Sequence, residues 1–479
     1  MTADPESAIR FERLRPADLA NLWAESPGMP SQIALLAQFD AGPFAVAGRL
    51  DAERVRAELA RRAWRVPALV RRVVWTRPGQ GRPAWAPDPG FDPTRHITCT
   101  RLPQGDDLAR WCANRVVRPL DRARPLWRAE VVDGLPAGRF GLLVVLHHVL
   151  ADGLTGVALA AALLDGEPDA GPADPVAAPP PAVPTARDLV ADNFRTRLGG
   201  LSAALRRTAR IPRTLRHWGT EAGGAGGAGK TRARQLRDAS ADVRAMAPRT
   251  SFPRRVGSGR RLAVVHLPLG KLRAAAHTHG ATINDLLLAA VCGGLRDLLR
   301  SRGDSVADLV LRASFPVGEM AGQHAGMLLV GLPVHEPDPL RRLATINTAT
   351  TAMKARVRAG GGDVFDVLHL PGPLARLAVR WMRRIARRHI NLFVTNVPGP
   401  TRPLWLAGAR LLDAVPVAPL TADVPLGVAA LSYGDILAVS INADAAVTDL
   451  DVLARGIERG FAELGPAAFP TNGTFGQTY

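Results

Sequence analysis

The sequence predicts an α/β protein, because helix-like and strand-like patterns alternate in two long blocks. The blocks are residues 1–170 and 248–479 of the 479-residue chain, and a segment of biased composition, residues 171–247, separates them. Amphipathic helices that alternate with apolar strands are typical of sheets covered by helices. Hydrophobic residues make up 47% and charged residues 22%, a globular balance that excludes wholesale disorder.

In the first block, the apolar spacing of Leu50–Arg62 predicts an amphipathic helix. Ala68–Trp75 and Arg139–Leu146 read as strands. The second of these, FGLLVVL at its centre, is a near-continuous apolar run that suits a buried strand. A further helix is predicted over Leu154–Leu164.

The middle segment is linker-like, because Ala170–Pro184 is rich in proline and alanine and Gly223–Gly229 reads GGAGGAG. A basic helical pattern lies between them, at residues 185–218. The second block predicts strands and helices in turn, ending with two strands and a closing helix. The expected strands are Leu262–Leu267, Leu309–Phe315, Gly326–Pro333, Asn391–Asn396 and Asp435–Asn442; the expected helices are Gly270–His279, Ile283–Arg300 and Leu450–Leu464.

The composition is strongly basic, with a net charge of +18 and 58 arginines among 61 basic residues. Such a charge suits nucleic acid, an anionic membrane or a phosphate-bearing substrate, and a GC-rich genome gives the same bias. No nucleic-acid module is evident and aromatic residues are only 5%, so nucleic-acid binding is not expected. Three scattered cysteines predict neither a disulfide framework nor a metal site.

The sequence shows no signal peptide and no apolar run long enough to cross a membrane. The best candidate, Phe140–Leu164, contains His147, His148 and Asp152. A cytoplasmic, peripherally membrane-associated protein that does not span the membrane is therefore expected.

The sharpest motif is HHVLADG, residues 147–153, directly after the strand Arg139–Leu146. Alpha/beta proteins commonly build their sites at strand ends. A neutral imidazole accepts a proton near neutral pH, so a histidine there can serve as a general base. Adjacent residues of an extended chain point in opposite directions, so His147 and His148 cannot both face one substrate. The alternative is a pair of structural histidines.

The last two residues of the motif, Asp152 and Gly153, are expected to shape the local structure. Asp152 either caps the helix that follows or pairs with an arginine, and in both cases it holds the loop in shape. Gly153 removes a side chain where a substrate or another part of the chain must come close.

The motif HHxxxDG resembles that of the CoA-dependent acyltransferases, the superfamily of chloramphenicol acetyltransferases and peptide-synthetase condensation domains. The segments PLW (Pro125–Trp127), Asn284-Asp285 and NVPGP (Asn396–Pro400) look like those of bacterial wax ester synthases/diacylglycerol acyltransferases. That resemblance covers nearly the whole chain. It implies two chloramphenicol-acetyltransferase-like halves, each a mixed sheet with helices, and an active-site tunnel between them.

The resemblance also implies the reaction, which transfers a fatty acyl group from acyl-CoA to a long-chain alcohol or a diacylglycerol, without a cofactor or metal. It implies that His148 is the general base. Asn284 is a candidate oxyanion donor or organiser of the site, and Asp285 is then structural. A plain helix start explains Asn284-Asp285 equally well, NVPGP is expected to be a turn, and Trp127 is expected to be a core anchor.

Two departures from the family pattern occur in the second block. Gly318-Glu319 replace a segment that usually contains serine and arginine, and Gly326-Met327 replace a Gly-Asn pair. The resemblance places this region in the site wall, so the acceptor preference and the activity level are open at this point.

A basic amphipathic helix is predicted over Pro373–His389. Its arginines are expected on one face, and Leu374, Leu377, Ala378, Trp381, Met382 and Ile385 on the other. The pattern fits a helix in a membrane or lipid-droplet interface, and it fits a core-packed helix with a solvated arginine face.

Three functions therefore compete. The first is the acyltransferase just described, and the second is an HHxxxDG acyltransferase with a carrier-bound or polyketide-type acceptor. The third is a catalytically weak relative that binds acyl lipids.

Overall fold

The structure, a computed structural model, describes residues 11–168, 183–198, 246–316, 327–358 and 372–465. Its strands are β1 Glu12–Arg13, β2 Gln32–Asp40, β3 Ala45–Val46, β4 Arg49–Leu50, β5 Arg71–Val74, β6 Ala84–Pro87, β7 Ile97–Arg101, β8 Trp127–Asp133, β9 Arg139–His147, β10 Arg260–Pro268, β11 Val310–Pro316, β12 Met327–Pro333, β13 Leu392–Val397, β14 Trp405–Leu406, β15 Ala409–Val417, β16 Leu426–Tyr433 and β17 Ile436–Asp444. Its labelled helices are α1 Pro16–Ala24, α2 Ala52–Ala63, α3 Leu108–Val116, α4 Gly153–Ala161, α5 Leu269–Thr278, α6 Ile283–Ser301, α7 Pro339–Arg358, α8 Gly372–His389 and α9 Leu450–Leu464. Residues 186–198 are also helical.

Two six-stranded mixed sheets form the framework, which confirms the predicted α/β class. The first has the order β14-β15-β2-β9-β8-β7, with β7 and β8 parallel. The second has the order β10-β17-β16-β13-β11-β12, with β13 parallel to both of its neighbours. The first sheet takes β14 and β15 from the second block of the sequence. A boundary near residue 248 therefore separates the two blocks of the sequence, but it does not separate the two sheets, because the first sheet contains strands from both blocks.

The chain divides into two compact units. The larger contains both six-stranded sheets and comprises residues 16–70, 91–177 and 247–479; the smaller comprises residues 1–15, 71–90 and 178–246 and contains the three-stranded sheet β1-β6-β5. The domain limits at 170 and 247 stay predictions, because most of the segment between them lies outside the described residues.

Strand β9 is buried and apolar on both faces, as its sequence predicts. On β9, Leu142, Val144 and Leu146 belong to one hydrophobic cluster, whereas Leu143 and Val145 belong to another. This split follows from the two-residue period of a strand. Trp127 is a core anchor, as expected: it is 2% exposed, and its Nε1–H donates to the carbonyl of Leu69 at 2.8 Å.

Two predictions for strands were wrong. The strand expected from residue 68 begins at Arg71, because Pro67–Val70 form a 3₁₀ turn that buries Leu69. The expectation that only two strands end the chain missed β14, β15 and β16. The sequence of β15 conceals it, because Pro416 interrupts the strand pattern and the pairing with β2 shifts register near Asp413.

The amphipathic helix exists as α8, and its predicted arginine face is largely exposed, although two arginines of that face contact the region of α1. The guanidinium of Arg376 lies over the ring of Trp23, and Arg383 donates to the hydroxyl of Ser26 at 3.2 Å. Conversely, Leu377 and Trp381 from the predicted apolar face are each 64% exposed. The helix therefore packs against α1 through part of its basic face and leaves part of its apolar face open.

Candidate active site

The HHxxxDG motif lies where β9 ends. His147 is the last residue of the strand and pairs with Gln32 on β2, and the backbone N–H of His148 donates to the carbonyl of Ser31 at 2.8 Å. The N–H of Leu150 then donates to the carbonyl of His147 at 2.8 Å, which turns the chain toward α4. The two histidines thus stand at the edge of the first sheet, as the motif predicts.

His147 is a buried, fully bonded residue. It is 2% exposed; its Nδ1 accepts the N–H of Val149 at 3.0 Å, and its Nε2 lies 3.0 Å from Oε1 of Glu25. Because Nδ1 accepts a hydrogen bond, we assign the ring proton to Nε2, which donates it to Glu25. His147 therefore holds the turn in place and has no free nitrogen for a substrate.

Glu25 is a site residue that the sequence reading missed. Its carboxylate also accepts the N–H of Ser31 at 2.8 Å and bonds to Arg122. Burial by itself raises the pKa of Glu25, but the hydrogen bonds from His147, Arg122 and Ser31 prevail and lower it to about 2. No local signal marks Glu25, because it lies 122 residues from His147 along the chain.

His148 lies in the turn after β9 and is half-buried. Its Nδ1 lies 3.3 Å from Nδ2 of Asn21, and within the described chain no side chain partners Nε2. Burial, together with the neighbouring His147, lowers the pKa of His148 below its ordinary value of 6.5, although Asp152 and Asp18 oppose this. The ring is therefore neutral at pH 7, the state that a general base needs.

Asp152 caps α4. Its Oδ1 accepts the N–H of Thr155 at 2.8 Å, whereas no described arginine pairs with it. Of the two interpretations that the sequence left open, the structure shows the cap. Gly153 opens the helix, and a Cβ at this position would lie 3.1 Å from Cγ2 of Val397. The glycine thus allows β13 and α4 to approach each other beside the motif.

Asp285 has a structural place, as expected. Its Oδ2 accepts the N–H of Thr282 at 2.9 Å in a capping box at the start of α6, and its Oδ1 accepts the hydroxyl of Thr350 at 2.7 Å. The helix-start interpretation of this segment is therefore confirmed. Asn284 is half-buried and has no side-chain hydrogen bond to another described residue, so its oxyanion role stays a prediction.

NVPGP is less of a turn than its composition predicts, because Asn396 and Val397 still belong to β13. The close contact comes two residues later, where a Cβ on Gly399 would lie 2.0 Å from the carbonyl oxygen of Ser432. Only glycine fits between the two backbones there.

A small apolar cleft of about 30 Å³ lies under α4, on the face of β2 and β9 that contains Leu35 and Val144. Its only hydroxyl belongs to Tyr433, which donates to the carbonyl of Leu411 and accepts the N–H of Leu404. The hydroxyl of Tyr433 therefore has both a hydrogen-bond acceptor and a donor as partners, and the rest of the cleft surface suits hydrocarbon. β9, which lines this cleft, ends at His147, and His148 lies in the turn that follows it.

The departures noted at Gly318, Glu319 and Gly326 lie outside the described residues. Met327 is the first residue of β12, and nothing in the structure explains its replacement of the expected asparagine.

Comparison with protein families gives two matches that together span most of the chain. Residues 14–287 match the wax ester synthase/diacylglycerol acyltransferase catalytic domain, and residues 321–465 match the WS/DGAT C-terminal domain. The chain belongs to the wax ester synthase/diacylglycerol acyltransferase family. It is therefore an acyltransferase, as the motif predicted.

Individual relatives agree with this assignment. A Mycobacterium tuberculosis H37Rv protein named "Probable diacyglycerol O-acyltransferase tgs1" is 32% identical over 398 residues, which are 80% of this chain and 81% of the relative. The solved wax ester synthase/diacylglycerol acyltransferase of Marinobacter aquaeolei VT8 superposes with a TM-score of 0.65 at 24% identity, over 94% of this chain and 98% of that one.

The fold is shared more widely than the family. The first condensation domain of the calcium-dependent antibiotic synthetase superposes with a TM-score of 0.54 at 19% identity, over 96% and 98% of the two chains. The expected likeness to condensation domains is thus confirmed at the level of fold.

Proposed function

We propose that this family member transfers the fatty acyl group of acyl-CoA to the hydroxyl of a long-chain alcohol or a diacylglycerol, with His148 as the general base. One observation carries the assignment: His148 lies at the sheet edge with a lowered pKa and an Nε2 that no described side chain occupies. Its neighbour His147 has both ring nitrogens engaged. Of the two adjacent histidines, His147 is therefore held by hydrogen bonds, and His148 has a ring nitrogen available to a substrate.

The reaction balances without a metal or a cofactor. Nε2 of His148 takes the proton of the acceptor hydroxyl while the oxygen attacks the thioester carbonyl carbon. The tetrahedral intermediate then expels the CoA thiolate, which recovers the proton from the imidazolium. Positioned general bases contribute roughly 10²–10⁴-fold. Asn284 is the proposed donor to the oxyanion.

A lipid substrate is supported by the family match, because the wax ester synthase/diacylglycerol acyltransferase catalytic domain covers the HHxxxDG motif. The apolar cleft lies between α4 and one face of β2 and β9, and its surface offers hydrocarbon with the hydroxyl of Tyr433 fully bonded. At about 30 Å³ the cleft must widen before it holds an alkyl chain.

The test is a product assay by mass spectrometry. Purified protein receives palmitoyl-CoA with hexadecanol, with a diacylglycerol, or with a carrier-bound acceptor. We expect wax ester or triacylglycerol, and we expect His148→Ala to lose roughly 10²–10⁴-fold in kcat. His277→Ala is the control, because His277 is an exposed helix residue far from the motif in sequence. Product only on the carrier-bound acceptor favours the second candidate, and acyl-CoA binding without turnover favours a lipid-binding relative.

We further propose that the protein associates peripherally with anionic membranes or lipid droplets through α8. Leu377, Trp381, Arg384 and Arg388 follow one another at helical spacings of four, three and four, so they form one stripe. The two apolar members are mostly exposed, and the two arginines are exposed as well. An apolar and cationic stripe is typical of interfacial helices, and each arginine near an anionic surface adds about 1 kcal/mol.

Flotation with vesicles tests this surface. We expect the protein to float with phosphatidylglycerol vesicles and to be released as salt rises, because screening weakens the arginine contribution. The double variant Leu377→Ser/Trp381→Ser is expected to lose flotation, whereas Leu340→Ser, an exposed leucine of α7, retains it. Equal flotation with neutral and anionic vesicles, or no effect of the double variant, contradicts the proposal. Among the described helices, none has the length and apolarity of a membrane-crossing segment.

A further inference from the structure

The side chain of Asn21 reaches the imidazole of His148 from α1. Its Nδ2 lies 3.3 Å from Nδ1 of His148, and both residues are half-buried. The 127 residues between them in sequence mean that only the fold brings them together.

The end of α1 is held firmly enough to place Asn21. The carboxylate of Glu25, just beyond the helix, bonds to His147 and Arg122, and the ring of Trp23 lies under the guanidinium of Arg376. Ser26 accepts a hydrogen bond from Arg383. These contacts fix the helix end beside the motif, so the amide at position 21 has a defined distance from the base.

A neutral imidazole carries one proton, and its position decides what His148 can do. If Nε2 carries the proton, that nitrogen cannot accept another from a substrate hydroxyl. If Nδ1 carries it, Nε2 is free to act as the base, and Nδ1–H then needs an acceptor. The backbone carbonyl of His148 itself is one such acceptor.

The amide of Asn21 supplies a second acceptor. The structure places Nδ2 at this position, but the oxygen and nitrogen of an amide have nearly the same outline, so a 180° rotation of the amide puts the oxygen about where Nδ2 lies, 3.3 Å from Nδ1. With the oxygen there, the amide accepts Nδ1–H and holds the tautomer that a base requires.

We propose that Asn21 is a positioning residue that accepts the Nδ1 proton of His148 and so keeps Nε2 unprotonated for the acceptor hydroxyl. This inference rests on the proposed role of His148 as general base. It adds a residue outside the HHxxxDG motif that sets the tautomer of that base.

The neutral charge of the amide matters for the same reason. The charged and titratable groups that act on His148 are His147, which lowers its pKa, and Asp152 and Asp18, which raise it. A carboxylate at position 21 would also accept Nδ1–H, but it would favour the imidazolium and so take the base out of its neutral state at higher pH. An amide holds the proton without adding charge.

Two variants separate these effects in full pH profiles with palmitoyl-CoA and hexadecanol. Asn21→Leu keeps the approximate size and removes the acceptor, so kcat is expected to fall about 10- to 100-fold while the KM for acyl-CoA changes less than about twofold. Asn21→Asp restores the acceptor, so kcat at high pH recovers and the acidic limb of kcat/KM moves upward by about one pH unit. Asn114→Leu, at an exposed position of α3, is the control and leaves both quantities unchanged.

The ring proton can also be observed without turnover. In ¹⁵N-histidine NMR spectra, with His148→Gln identifying the resonances of His148, we expect the Nδ1–H tautomer in the wild type and loss of that preference in Asn21→Leu. Circular dichroism of each variant checks that the fold is kept. An Nε2–H tautomer in the wild type, or an Asn21→Leu variant with unchanged tautomer and pH profile, overturns the proposal. Full activity of His148→Ala instead overturns the general-base assignment, so the two failures are distinguishable.

Discussion

At the scale of single residues, the site works through the different environments of two adjacent histidines. His147 is buried with both nitrogens bonded, whereas His148 is half-buried with Nε2 open to a substrate within the described part of the chain. The two rings meet different partners, because His147 ends the strand β9 and His148 begins the turn that follows it. Glu25 and Asn21, both from the region of α1, then give each ring its specific partner.

Glu25 is expected to make stability depend on acid. Its pKa is about 2 in the fold and near 4.5 when the chain is unfolded, so its contribution is fully present above pH 4.5 and is lost as the pH falls toward 2. The shift corresponds to about 3 kcal/mol of unfolding free energy. Urea denaturation between pH 2 and 7 measures it.

Glu25→Gln is the matched variant for this experiment. It is expected to be less stable than the wild type at pH 7 and to approach it as the pH falls toward 2, because the amide has no charge to lose. Parallel stability curves for the two proteins over the whole pH range would contradict the role given to the carboxylate.

At the scale of elements, caps start the helices that carry or follow the candidate site residues, and glycines permit the close approaches. Asp152, within the motif, caps α4, and Thr282 with Asp285 caps α6. On α9, a Cβ at Gly456 would lie 2.6 Å from the Cα of Gly294, so α6 and α9 meet backbone to backbone. Such contacts depend on the size of the side chain rather than on its polarity or charge.

The cap at Asp152 is expected to affect both stability and turnover. Asp152→Ala leaves the N–H of Thr155 without its partner and costs about 1 kcal/mol. Because α4 follows His148 by only five residues, kcat is expected to fall as well. Asp107→Ala removes the corresponding cap of α3, where Asp107 accepts the N–H of Ala109 at 3.0 Å. The Asp107→Ala variant should lose similar stability and keep its kcat. If Asp152→Ala and Asp107→Ala have the same kcat, the α4 cap does not position the base.

The contact between α6 and α9 gives a second comparison. Gly456→Ala forces the two helices apart and is expected to destabilise the protein by about 1–3 kcal/mol. Gly270→Ala makes the same chemical change on α5 at an exposed position with no atom in the way, and it should stabilise by about 0.5–1 kcal/mol. Thermal denaturation of both variants reports the difference. If both substitutions change the stability in the same direction, the two helices accommodate the added methyl group.

At the scale of the whole molecule, the second block of the sequence completes the sheet of the first. β15 pairs with β2 over Ala34–Phe39, and β2 in turn pairs with β9, the strand that ends at His147. The catalytic motif thus lies one strand away from a segment more than 250 residues further along the chain. Neither block can form the complete first sheet alone.

This arrangement predicts how a divided chain behaves. Fragments 1–247 and 248–479, expressed separately, are expected to be unfolded or aggregated, because the first exposes the unpaired edge of β2. Co-expression is expected to restore a complex with activity, measured by copurification and product formation. A stable, monomeric 1–247 fragment with native near-ultraviolet circular dichroism would contradict the dependence on β15.

The sequence by itself determined the local features, because these depend on neighbours within a few residues. Apolar periods predicted β9, α6 and α9. Asp152 was expected either to cap the helix that follows or to pair with an arginine, and HHxxxDG indicated a candidate site whose two histidines cannot both face one substrate. The motifs also indicated the family, which the comparisons confirmed. Tertiary structure alone decided which groups meet the motif. Asn21 and Glu25 lie more than 120 residues from the histidines, and β15 joins a sheet from the other block. Contacts at such separations leave no period in the sequence, because they arise only when packing brings distant segments to the same sheet edge.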